Sequence, residues 1–196
     1  MLSEKLLASS IVSALLTLTV SAHAIAADNP GAHQHGHAEM QLAFSADRVE
    51  ILLMSPAANI LGFEHRPRTP EQQQMVESVT SWLEETPLVN TPELTCTVKS
   101  TSVQYEVEGG HNHNEHGHDH DKHDHDGHDN DDEDRHTDIT VTQTLSCPGL
   151  DKAPTVTTPL TTRFPRIEDL DIAWAGPGGQ GATRLEHGAG SFSPGR

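Results

Sequence analysis

Apolar residues recur along the chain at two spacings, and each spacing predicts an element. Met40, Leu42 and Phe44 alternate with their neighbours, Ala46-Asp47-Arg48 turns the chain, and Val49, Ile51 and Leu53 alternate again. Period two on both sides of a turn predicts a β-hairpin. Leu94, Cys96 and Val98 keep that period, as do Ile139, Val141, Leu145 and Cys147. Val98 to Tyr105 and Thr137 to Ser146 are therefore expected to pair as strands, with Leu160 to Phe164 and Leu170 to Trp174 as further strands. Helical spacing also occurs. Thr69-Pro70-Glu71-Gln72 supplies an N-cap, a proline at the first helical position and a capping-box glutamine. Met75, Val79, Trp82 and Leu83 then share one face, and Pro87 ends the segment. Gly176 to Gly181 reads as a loop, and the last ten residues as a fraying end. The fold class is α+β: an antiparallel β-rich domain with one or two helices and a disordered insertion.

That insertion is where the pattern vanishes. From His111 to His136 there is no apolar side chain, so the segment cannot bury surface to offset the entropy of ordering. Residues 109–137 are expected to be a disordered loop. It carries nine histidines, His111, His113, His116, His118, His120, His123, His125, His128 and His136, set among Asp, Glu, Asn and Gly. Neutral imidazole is the commonest metal ligand and suits Zn, Cu and Ni, so all nine are candidate ligands. A flexible run of this length reaches about 30 Å, enough to serve most of a small domain.

Charge and the chain's start narrow the setting. The formal charge of −17 argues against nucleic acid or anionic lipid as a partner and favours cations. Lys5, the apolar run Leu6 to Val20, and the small-residue sites Ala22-His23-Ala24 and Ala24-Ile25-Ala26 follow the order of a secretory signal. The apolar run falls short of the ~20 residues a membrane span needs, and no Cys follows either cleavage site. Residues 1–26 are thus expected to be a signal peptide, leaving 27–196 as one exported periplasmic domain without membrane insertion. In an oxidising compartment Cys96 and Cys147 should bridge, each on the buried face of its strand, at the root of the insertion. Aromatic residues make up 4% of the chain, which implies a core built on Leu, Val and Ile.

Outside the insertion, histidines cluster at His33-Gln34-His35-Gly36-His37. On an extended chain His33, His35 and His37 would share one face and chelate one ion. Glu64-His65 precedes the helix start and is a second candidate. A zinc hydrolase is the enzymatic alternative. The histidine string lacks the Asp of the His-x-His-x-Asp-His ligand motif, and neither HExxH nor Gly-x-Ser-x-Gly occurs, so no enzymatic activity is expected.

Several motifs occur in a fixed order. His35-Gly36-His37-Ala38-Glu39-Met40 opens the hairpin, and Ser55-Pro56-Ala57-Ala58-Asn59 and Gly62-Phe63-Glu64-His65-Arg66-Pro67 come next. Cys96, the His/Asp-rich run, Cys147-Pro148 and Phe164-Pro165 complete the set. From about His33 to Leu185 the chain resembles the ZrgA-type periplasmic zinc-binding family, with Gly-Phe-Glu-His as its most specific motif. The resemblance implies zinc uptake across the bacterial envelope, zinc as the bound metal, and a membrane zinc transporter or its binding protein as the partner. It carries over His33, His35, His37, Glu64 and His65. A metal buffer or a nickel or copper detoxification protein is the alternative, because imidazole sites do not by themselves select zinc.

Overall fold

In the computed structural model, residues 34–93, 95–107, 136–150 and 153–194 are described. The expected signal peptide, His33 and the insertion histidines His111 to His128 lie outside the described residues. Among the described residues, eight strands and three helices follow one another: β1 His37–Phe44, β2 Arg48–Pro56, α1 Ala57–Ile60, α2 Pro70–Glu85, β3 Thr97–Val107, β4 Thr137–Ser146, β5 Val156–Thr157, α3 Leu160–Arg163, β6 Asp169–Gly176, β7 Gly179–Glu186 and β8 Ser191–Phe192. Six strands form one sheet in the order β3-β4-β2-β1-β6-β7, and β5 pairs with β8. The sheet is mixed, since β1 and β6 run parallel while its other neighbours are antiparallel.

The alternation predicted for the hairpin sets the sheet's two faces. Met40, Leu42, Val49, Ile51, Leu53, Ile139, Val141, Leu145, Leu170 and Ile172 are buried on one face. The other face carries His37, Glu39, Gln41, Thr140, Thr142, Asp169 and Asp171 at the intervening positions. Helix α2 covers the core face beside β3. Thr69 accepts from the Gln72 backbone while the Gln72 side chain accepts from the Thr69 backbone, completing the predicted capping box. Val79 and Leu83 are buried, each contributing about 1.5–3 kcal/mol of apolar burial. Met75, expected on the same face, is exposed instead; Val76 takes its place against the core.

One polar residue locks this helix down. Gln143, buried on β4, accepts from Leu88 N and donates to the carbonyls of Leu83 and Thr86. It thereby satisfies carbonyls at the end of α2 and the buried Leu88 N–H of the chain leaving it.

Four sequence expectations are corrected. Leu160–Arg163 is a short helix, because Pro159 starts a turn in which Arg163 N and Phe164 N donate back to Pro159 O and Leu160 O. The Gly176–Gly181 stretch is a tight turn that opens a strand: Gly179 already pairs with Gly176, and β7 continues to Glu186. Part of the expected fraying end is ordered, since Ser191 and Phe192 pair with Thr157 and Val156 and Phe192 is buried. Cys96 and Cys147 are bridged, and both are buried, but the bridge lies at the opposite end of the β3–β4 ladder from the insertion. Thr97 pairs with Ser146 beside the cysteines, whereas Val107 pairs with Thr137 where the insertion leaves. Ten residues of strand separate the two ends, roughly 30 Å. Among the described residues, no helix is long and apolar enough to cross a membrane.

Candidate metal centre

The insertion end of the sheet gathers three segments that are distant in sequence. Antiparallel pairing sets the start of β1 beside the end of β2, and the end of β2 beside the start of β4. Residues just outside those strand ends therefore meet above one edge of the core.

The turn before β1 is held by Asn59 of α1. This buried amide accepts from Gly36 N at 2.7 Å and donates to His37 O at 2.8 Å and Ser55 Oγ at 3.2 Å. His37 N donates to Gln34 O, closing the turn, and Gly36 has a φ of 86°, a left-handed conformation that suits glycine. Glu168 N and Asp169 N both donate to Gly36 O, which ties the turn to the start of β6. The turn aims His35 away from the sheet while His37 stays on β1. The shared face expected for an extended His35-Gly36-His37 does not form.

Glu64 comes from the segment after α1. Leu61 N and Gly62 N donate back to Ala57 O and Ala58 O, and Gly62 has a φ of 89°, so the chain reverses sharply there. A side chain at Gly62 would also meet the Arg166 guanidinium, which lies against it. This tight exit makes the Gly-Phe-Glu-His order intelligible: glycine ends the helix, Phe63 packs on the core, and Glu64 follows within reach of the β1 turn.

His136 is the residue immediately before β4. His35 Nε2 lies 2.7 Å from Glu64 Oε1, and His136 Nδ1 lies 2.5 Å from Glu64 Oε2. The two imidazoles stand edge to face with centroids 6.2 Å apart. Among the described residues this is the one group of three ligand-type side chains whose donor atoms all lie within 4.8 Å of one another. Glu64 is 15% exposed, while His35 and His136 are 63% and 52% exposed, so the carboxylate forms the floor and the imidazoles the rim. A carboxylate accepts hydrogen bonds, so the ring nitrogens facing Glu64 carry protons when no cation is bound. A metal bound on that side needs the other tautomer of each ring, with the proton on the nitrogen that faces away from Glu64.

The remaining candidates lie elsewhere. His37 Nε2 is 3.6 Å from Glu39 Oε1 and from Asp171 Oδ2, on the sheet's open face. His65 stacks on Phe63 and bonds through Nδ1 to Arg66 O at 2.8 Å, which leaves a lone pair on Nε2. A cavity of about 290 Å³ beside the cluster is lined by Glu64, His65 and Thr137, with Leu61, Phe63 and Tyr105 among its apolar walls. Burial raises the Tyr105 hydroxyl's pKa, opposed by its hydrogen bond with Thr80.

A model of the ZrgA family of zinc uptake proteins matches residues 32–194. The chain belongs to that family. No curated protein matches it. The span of the ZrgA match contains His35, Glu64 and His136, both cysteines and every described strand. A zinc-related function is therefore established at the level of the family, and a site of two imidazoles and one carboxylate has the ligand chemistry of three-coordinate protein zinc sites that leave a fourth position open.

Sequence reasoning placed His136 within the insertion and Glu64 beside His65 as a second candidate, and gave Asn59 no role. Thr137 opens the β4 alternation, so His136 is the one histidine of the run adjoining a strand; that was the available signal. Asn59 left none beyond its place in the Ser-Pro-Ala-Ala-Asn motif.

Proposed function

We propose that this chain is a periplasmic protein that captures Zn(II) and supports its import, with His35, Glu64 and His136 holding the ion. The observation that carries the reading is the convergence of those three side chains, from three separate segments, at the end of the sheet where the His-rich run begins and ends. Tetrahedral zinc at 2.0–2.1 Å from its ligands requires ligand atoms about 3.3 Å apart. The observed 2.7 and 2.5 Å are hydrogen-bond separations, each to a different oxygen of Glu64, so loading needs the two imidazoles to shift until they face one ion. The fourth position would be taken by water, by His33, or by His65, whose Nε2 is in the form that binds metal.

The other histidines of the run, from His111 to His128, would act as a scavenging set. Covalently joined to His136, they hold ions weakly near the ordered ligands and rebind those that escape. The secretory pattern of residues 1–26 and the Cys96–Cys147 bridge support an oxidising, extracytoplasmic setting. A membrane zinc transporter or its binding protein would receive the ion. Binding without catalysis agrees with the family's description as zinc uptake proteins.

Competition against a zinc chelator of known affinity tests the ligand set. His35→Ala, Glu64→Gln and His136→Ala should each weaken the tightest binding step, while His123→Ala should lower only the number of weakly held ions. If the three variants kept wild-type affinity, the cluster would not be the capture site.

A further inference from the structure

Positive charge is scarce in this chain, with 12 Lys and Arg against 29 Asp and Glu, so an exposed arginine ordinarily finds a carboxylate. Arg48 pairs with Glu50, and Arg184 pairs with Asp171 and Asp169. Arg66, Arg68, Arg163 and Arg166 depart from this. All four are exposed, and none has a carboxylate among the described residues at ion-pair distance.

These arginines gather at α2. Arg163 Cζ lies 5.6 Å from the centroid of the Trp82 ring and 5.2 Å from that of Phe164, two rings that meet edge to face at 5.3 Å. Arg166 lies against Gly62, on the segment that leads into the helix. Arg66 and Arg68 follow on that segment, and Gln72 Oε1 accepts from Arg68 N at 2.7 Å. The helix itself shows apolar surface. Met75 is 47% exposed, the one large apolar side chain so exposed among the described residues. Trp82, half-buried, lies two turns further along the same stripe. Glu71, the acid one turn before Met75, hydrogen-bonds its own backbone and Thr69, which holds its carboxyl below the usual range.

Arginine, tryptophan and methionine are side chains that protein interfaces favour, and charge without a partner in its own chain orients an encounter. The partner's sign follows from the cargo. A protein that takes Zn(II) from this one presents carboxylates and imidazoles of its own, and it meets a chain of formal charge −17. Two such surfaces repel. An arginine patch reverses the local field and lets them approach. Arg66 and Arg68 follow Glu64 by two and four residues, so docking here sets the acceptor beside the proposed capture site. Arg163, already held over Trp82, loses little rotamer freedom when a carboxylate arrives.

We propose that the Met75–Trp82 stripe of α2, with Arg68, Arg163 and Arg166, docks an acidic segment of the protein that receives zinc from this chain. Carboxylates of that segment bond the arginines, and an apolar side chain covers Met75. The assignment rests on the capture-and-import reading above.

Photocrosslinking on the full chain in zinc-starved cells tests this, with p-benzoylphenylalanine in place of Ser78, which is exposed between Met75 and Trp82. A single adduct is expected, and mass spectrometry should place the link in an acidic segment of another protein. Arg68→Gln/Arg163→Gln/Arg166→Gln should lower the adduct about tenfold, whereas Arg48→Gln should leave it unchanged. Zinc affinity of the purified triple variant, read by chelator competition, should stay within about twofold of wild type, which separates docking from capture. The inference is overturned if no adduct forms, or if the adduct survives loss of the arginines. It is equally overturned if the link falls on lipid, on a second copy of this chain or on a segment without acidic residues. A loss of zinc affinity matching the loss of adduct would also overturn it, because the arginines would then be supporting the metal site.

Discussion

Glu64 is the residue on which the proposed capture site turns, because its two carboxylate oxygens reach both rim imidazoles. Glu64→Gln keeps the shape and removes the charge. Changes to residues that merely orient ligands cost 10–100-fold in affinity, so loss of a ligand should cost at least about 100-fold, read by chelator competition. Asn59 acts one layer back. Asn59→Ala would free Gly36 N and His37 O, lowering stability by about 1–3 kcal/mol in urea titration and weakening zinc binding through the displaced His35. Asp171 gives a pH signature. Arg184 depresses its folded pKa, so its stabilising contribution is present above the ordinary carboxylate pKa and lost as pH falls below it. The melting-temperature gap between wild type and Asp171→Asn should be full at neutral pH and should close below about pH 4. These contacts were largely invisible in sequence. Spacing showed that His35 and His37 were ligand types, but only the positive φ at Gly36 separates them into different clusters.

At the scale of elements, alternation and capping chemistry were legible where local rules governed. The β1–β2 hairpin, the α2 start at Thr69 and the strands flanking the insertion all follow from period and cap residues. Long-range choices were not legible. Nothing local in Asp169–Gly176 says that β6 will lie parallel to β1, and nothing in Leu160–Phe164 distinguishes a buried turn of helix from a strand. Gln143 illustrates the same limit, since a polar residue in an alternating strand gives no sign that it ends a helix on the facing layer. Gln143→Leu should leave the buried Leu88 N–H unsatisfied and cost about 1–3 kcal/mol or more in chemical denaturation. The disulfide closes a loop with a sequence separation of 51, for which chain entropy gives about 4 kcal/mol. Cys96→Ala/Cys147→Ala should fall in stability by that order. Because the bridge lies at the far end of the ladder from His136, zinc affinity of the folded variant should stay near wild type.

At the scale of the whole molecule, the sheet separates support from binding. One end holds the Cys96–Cys147 bridge, and the other collects His35, Glu64 and His136 where the His-rich run departs from β3 and returns to β4. Composition marked the run as metal-binding, but it could not say that its last histidine belongs to an ordered cluster, because that depends on which strand ends the topology brings together. Two chains that differ at a single position test the proposed division of labour most directly. In both, residues 108–135 are replaced by a short Gly/Ser turn, which the pairing of Val107 with Thr137 can accept; one keeps His136 and the other has His136→Ala. Calorimetric zinc titration should show one tight step in the first chain, with fewer ions bound than in wild type, and loss of that step in the second. Tight binding equal in both chains, or absent from both while their far-UV spectra stay native, would contradict capture at His35, Glu64 and His136.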